Sequence, residues 1–176
     1  MDNRAVILRA LRDLGIPYAL HEHAPMWTID DCLALPGLGL GATVPRNVFL
    51  CNRQQTAYYL FLSSPRRAFR TAVVSKLLGV SRLSFAPADR LPGLLGLQPG
   101  AVSPLGLLFD LEKQVELVVD DALLRHERLW FHPGVNTASV EMATGDFLGR
   151  FLPGIGRAAR SIHLPDEEDS GQAPPR

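Results

Sequence analysis

The chain has 176 residues, 47% hydrophobic and 20% charged, enough for one domain with a sizeable core. Eighteen basic residues balance eighteen acidic ones, which argues against coating nucleic acid by bulk electrostatics but leaves room for a local basic patch. Cys32 and Cys51 make neither a disulfide framework nor a metal set, and no apolar run reaches the length of a membrane span, so the expectation is a cytoplasmic protein without a membrane partner.

The elements follow from spacing. Asp2 to Leu14 carries Val6, Ile7, Leu11 and Leu14 near helical intervals, with Gly15 as the stop. Tyr18 to Glu22 reads as a short strand after Pro17. His21 and His23, two apart, would share a strand face; they read as solvent-facing or capping histidines, because no third metal ligand is near in sequence. Thr28-Ile-Asp-Asp31 reads as a capped helix start, ending before Pro36-Gly37. The run Pro36 to Gly41 is a loop that lacks the Lys-Ser/Thr ending of a phosphate-binding loop. Asn47 to Cys51 and Thr56 to Leu62 are strands joined by a hairpin turn at Asn52 to Gln55. Cys32 and Cys51 are expected as small packing residues.

Thr71 to Leu78 is a helix ended by Gly79, Arg82 to Phe85 a short strand, and Pro87 opens another helix. Lys113 to Asp120 is a strong strand, after which Asp120 or Asp121 starts a short helix through Arg125. Leu129 to His132 and Thr137 to Met142 are two more strands, and Thr144 to Leu152 is a closing helix. Strands and helices mix without strict alternation. The fold class is α/β (α+β): a single domain, residues 1–160, around a mixed sheet with peripheral helices. An acidic, then Pro-rich tail over 161–176 is expected to be disordered.

Two loops stand out. Pro99, Gly100, Pro104 and Gly106 break any regular element between Leu97 and Gly106, and the small Ala101, Val102 and Ser103 let a ligand approach the backbone. Such a loop either connects two elements or offers N–H groups to an oxyanion. The second loop, Phe131-His-Pro-Gly-Val-Asn136, holds His132 and Asn136 between tight turns. Arg66, Arg67, Arg70, Lys76 and Arg82 form the one basic concentration, read either as a solvated helix face or as a phosphate-contacting patch.

These residues bring a resemblance into view. His23-Ala-Pro25 with Thr28, Arg46-Asn-Val-Phe-Leu50, Lys76-Leu-Leu-Gly79 with Leu83-Ser-Phe85, and Gly100-Ala-Val-Ser-Pro104 with Phe131-His-Pro133 and Asn136 resemble the bacterial prolyl-tRNA-editing family (YbaK/ProX-like) over roughly residues 1–153. Each motif is weak alone; the Gly-x-x-x-Pro loop followed by the His-Pro loop is fairly specific. The resemblance implies hydrolysis of the ester joining a wrong amino acid to the tRNA 3′ end, alanine on proline tRNA above all. It implies no cofactor and no metal. The implied partners are the acceptor end of an aminoacyl-tRNA and, as a second partner, a prolyl-tRNA synthetase. Gly100 and His132 become catalytic candidates; Ala101, Val102, Ser103, Pro104, Asn47 and Asn136 become substrate-binding candidates.

Arg46 is the third catalytic candidate and a departure, because the family usually has lysine there. Arginine keeps the charge but does not give up a proton, and its planar fork differs from an ammonium point charge. An electrostatic role survives this exchange; a proton-carrying role does not. The alternative reading is therefore a catalytically weakened paralogue that binds aminoacyl-tRNA or a synthetase without hydrolysis. Substrate choice is expected to be steric, one methylene being worth about 1–3 kcal/mol, with Met26, Val44 and Leu105 as the candidate walls.

Overall fold

The computed structural model describes residues 2–165. Its strands fall into two mixed sheets rather than the single sheet expected. The first has the order β1-β8-β7-β2: β1 Tyr18–Glu22, β8 Ala138–Ala143, β7 Arg128–Phe131 and β2 Ala42–Thr43. The second has the order β5-β3-β4-β6-β9: β5 Ser84–Phe85, β3 Arg46–Cys51, β4 Tyr58–Ser63, β6 Val115–Asp120 and β9 Ala159–Ile162. Parallel pairs β2–β7, β4–β6 and β6–β9 sit beside antiparallel ones.

The period-2 alternation of strands divides the interior. In the second sheet Phe49, Cys51, Tyr58, Leu60, Leu62, Val115, Leu117 and Val119 face the main core. Leu129, Phe131, Val140 and Met142 of the first sheet join that core, together with Ile7 and Leu11 of α1 (Asn3–Asp13). Their neighbours Val48, Leu50, Tyr59, Phe61 and Val118 face the opposite way, onto Val74 and Leu78 of α3 (Thr71–Leu78). A third, smaller cluster of Met26, Cys32, Val44 and Trp130 lies under α2 (Ile29–Leu33). Cys51 and Cys32 are both buried, as expected of packing residues.

Local chemistry fixes the elements next to the site. Thr28 and Asp31 form a reciprocal capping box at the start of α2, which makes a five-residue helix viable. Asn52 Oδ1 accepts from Thr56 and Ala57 N–H and closes the β3–β4 hairpin. α4 (Leu91–Leu95) follows a 3₁₀ turn at Ala88–Arg90. The closing helix is α-helical at Thr144–Asp146, π-helical at Phe147–Phe151 and α-helical again at Leu152–Gly154. Asp120 precedes the 3₁₀ turn Asp121–Arg125 but does not cap it; its carboxylate accepts from Leu164 N–H instead.

Two short strands escaped the sequence pattern, β2 and β9. β9 runs past residue 160, and Ile162 and Leu164 are buried. Most of the expected tail lies outside the described residues. No helix among the described residues is long and apolar enough to cross a membrane.

Candidate active site

Strand register assembles the site on the outer face of the first sheet. Trp130 pairs with Glu141, and His21 pairs with Ser139. Alternation then puts Trp130 and His132, Ser139 and Glu141, and His21 and His23 on one face. His21 stacks on Trp130 with ring centroids 4.0 Å apart, and its Nε2 lies 2.9 Å from Glu141 Oε2. Burial raises the Glu141 pKa, but hydrogen bonds from Arg128 and His21 outweigh it and hold the carboxyl below its ordinary value. The two histidines thus share a face, as the spacing requires, and each is bound to the sheet. His23 Nδ1 donates to Ala24 O at 2.9 Å, so its Nε2 accepts from Ser139 Oγ at 2.9 Å.

A cavity of about 260 Å³ opens over this face. Met26, Ile29, Cys32, Val44 and Trp130 supply its apolar wall; Arg46, Asn47, Gly100, Val102, His132 and Ser139 supply its polar one. The second half of the wall brings together four separate stretches: the start of β3, the Gly100 loop, the end of β7 and the start of β8.

His132 Nδ1 donates to Ala138 O at 3.0 Å, which leaves Nε2 as the ring's acceptor. Burial pushes its pKa below the ordinary imidazole value; the carbonyl bond works against this, and His23, 6.0 Å away ring to ring, works with it. The ring is therefore neutral at pH 7 and can accept a proton. Arg46 donates from Nη1 to Arg67 O at 3.2 Å, which anchors a permanent charge at the cavity wall. Asn47 Nδ2 donates to Pro45 O, while Asn47 Oδ1 and Trp130 Nε1 are buried without a protein partner among the described residues. Such atoms cost about 1–3 kcal/mol each when left unmade, so a ligand that meets them gains what the free protein forgoes.

The Gly100 loop divides into two halves. Gly100 has φ +86°, and Gly100 and Val102 line the cavity. Their N–H groups make no hydrogen bond among the described residues, whereas Ala101 N–H is used by Gln98 O. Ala101, Ser103 and Pro104 are buried away from the cavity. Ser103 caps the 3₁₀ turn Pro104–Leu108 by accepting from Leu105 N–H. These three hold the loop in shape rather than lining its pocket. Asn136 also stands back from the wall; its Nδ2 reaches Met26 O at 3.4 Å. Of the three expected size-setting residues, Met26 and Val44 line the cavity, but Leu105 belongs to the main core.

The basic patch is not uniform. Arg66, Arg70, Lys76 and Arg82 are exposed, and Arg66 lies 3.8 Å from Asp30 on α2. Arg67 is turned inward, with Nε 3.4 Å from the buried Asp120 carboxylate and Nη2 on Leu164 O. It ties β6 to the segment that follows β9. Trp27, Ile29, Cys32, Trp130 and Ser139 are among the lining residues that sequence reasoning missed. The alternation of Trp130 with His132 was the available signal for one of them.

The chain is similar to known proteins over most of its length. The family model described as the aminoacyl-tRNA editing domain matches residues 23–149. The chain is 31% identical over 164 residues to the prolyl-tRNA editing protein ProX of Acetoanaerobium sticklandii, covering 93% of this chain and 99% of that one. It is 29% identical over 150 residues to prolyl-tRNA synthetase associated domain-containing protein 1 of Bos taurus, covering 82% and 86%. A solved structure described as a candidate trans-editing enzyme for prolyl tRNA synthetase shares the fold, with TM-score 0.69, 18% identity, and coverage of 94% and 99%. The chain belongs to the aminoacyl-tRNA editing domain family.

Proposed function

We propose that this protein hydrolyses the ester of mischarged tRNA, with alanine on proline tRNA as the substrate. One observation supports the reading: an acceptor-ready His132, a fixed Arg46, and Gly100 and Val102, whose N–H groups make no hydrogen bond among the described residues, line one small cavity. The membership in an editing family and the relative named for prolyl-tRNA editing support the substrate class.

The chemistry needs no protein nucleophile. Water adds to the ester carbonyl, guided by His132 Nε2, and the N–H groups of the Gly100 loop meet the oxyanion. The carbon–oxygen bond to ribose then breaks, the ribose oxygen takes a proton, and free amino acid leaves. Arg46 acts by charge, on a phosphate of the terminal nucleotide, and not as a proton carrier. Met26, Ile29, Cys32, Val44 and Trp130 form the apolar wall that would set the size of the accepted side chain. Exposed Arg66, Arg70, Lys76 and Arg82 are the side chains we assign to acceptor-stem phosphates.

Deacylation of proline tRNA charged in turn with alanine, serine, cysteine and proline tests the reading. Alanine loss alone is the expected result. Loss of a different residue would change the substrate and keep the reaction. Tight tRNA binding without loss of any residue would favour the paralogue that binds and does not hydrolyse.

A further inference from the structure

Trp27 is a large apolar side chain left 73% exposed at the rim of the cavity. Its backbone is held on three sides. Met26 N–H donates to Asn136 O, Trp27 N–H donates to Asp31 Oδ2, and the Thr28–Asp31 capping box locks the following turn. One edge of the indole rests against the Gly100 α-carbon, where an added methyl would lie 2.9 Å from Cζ3. The other large exposed apolar residues, Leu40, Phe85 and Leu111 among them, do not line this cavity. A ring braced by its edge, open over most of its surface, and sharing a cavity wall with a guanidinium has a specific chemistry. Aromatic stacking plus a phosphate-directed cation is how single-stranded nucleic acid ends are held.

We propose that Trp27 is the platform on which the 3′-terminal nucleobase of the aminoacylated RNA stacks while its ester enters the cavity. The inference rests on the hydrolase reading and adds a positioning residue to it. The stack fixes the ribose beside Arg46, so the carbonyl reaches the Gly100 loop in one orientation.

The test has a binding arm and a kinetic arm. In the first, the unacylated trinucleotide cytidine-cytidine-adenosine is titrated against intrinsic fluorescence, with Trp27→Phe reporting the contribution of Trp130 alone. Quenching in the wild type should exceed that in Trp27→Phe, while affinity is kept within a few-fold. Trp27→Ala should weaken binding roughly 5- to 100-fold, the value of one base–aromatic stack. In the second arm, alanine release is measured from mischarged tRNA with a normal or an abasic terminal nucleotide. Removal of the base should slow the wild type and leave Trp27→Ala no slower than it already is. Independent, multiplying losses would overturn the proposal, as would Trp27→Ala behaving as wild type in both arms. If the wild type releases no amino acid but shows the Trp27-dependent quenching, the hydrolase reading fails and the stacking platform stands.

Discussion

His132 turns its Nδ1–H onto the carbonyl of Ala138, 3.0 Å away across the loop that joins β7 to β8. The bond is local, but its consequence is at the cavity, because it commits the other ring nitrogen to accept. Burial then keeps the ring neutral at physiological pH, below its ordinary value. The acid limb of the single-turnover rate should therefore fall below about pH 6.5, with a flat region through neutrality. The sign for stability is the same. A histidine held neutral favours the fold above its unfolded value of about 6.5, and that contribution is lost as pH falls from there through the lower folded value. A pH–rate profile and urea melts at pH 5 and pH 7 check both; an acid limb above pH 7 would contradict the neutral ring.

Gly100→Ala should impair the reaction more than the fold. Its φ of +86° strains any L side chain by about 1–2 kcal/mol, and the methyl would press into the Trp27 ring. The expected outcome is a modest loss of thermal stability with at least a tenfold fall in kcat/KM. Wild-type kinetics in a folded variant would remove the Gly100 loop from the site.

Arg46 separates charge from proton transfer. Arg46→Ala should lose about 10- to 100-fold in kcat/KM, the value of a charge-assisted contact to phosphate. Arg46→Lys should retain activity within about tenfold, since it keeps the charge. An inactive lysine variant would mean that the fork geometry held by Arg67 O is itself required.

Arg67 should behave unlike its basic neighbours. Arg67→Ala leaves the buried Asp120 carboxylate without its guanidinium and should cost about 3–5 kcal/mol in chemical denaturation. Replacing Arg66, Arg70, Lys76 and Arg82 by glutamine should leave stability nearly unchanged and flatten the salt dependence of tRNA binding. Equal salt slopes before and after would place the RNA elsewhere.

The long apolar runs made the fold legible. β3, β4 and β6 alternate against two cores and carry strong β-forming residues, so their positions follow from the sequence. β2 has two residues, and β9 has two exposed ones at its centre, Arg160 and Ser161, so neither leaves a usable pattern. Both are held by neighbouring strands rather than by their own composition. Loop chemistry and motif pointed to His132, Gly100, Val102, Arg46 and Asn47, and the fold brings these five to one cavity wall. Ala101, Ser103 and Pro104 lie buried off this cavity, because a Pro/Gly-rich loop does not reveal which of its residues turn inward. Trp27 was passed over because an exposed aromatic and a buried one look alike in a sequence.

The most direct measurement is alanine release from mischarged proline tRNA under single-turnover conditions, wild type beside His132→Gln. The account predicts rapid release by the wild type and a loss of about 10²- to 10⁴-fold in the variant, with tRNA binding unchanged. Equal rates for the two, or no release by a wild type that binds the tRNA, would contradict it.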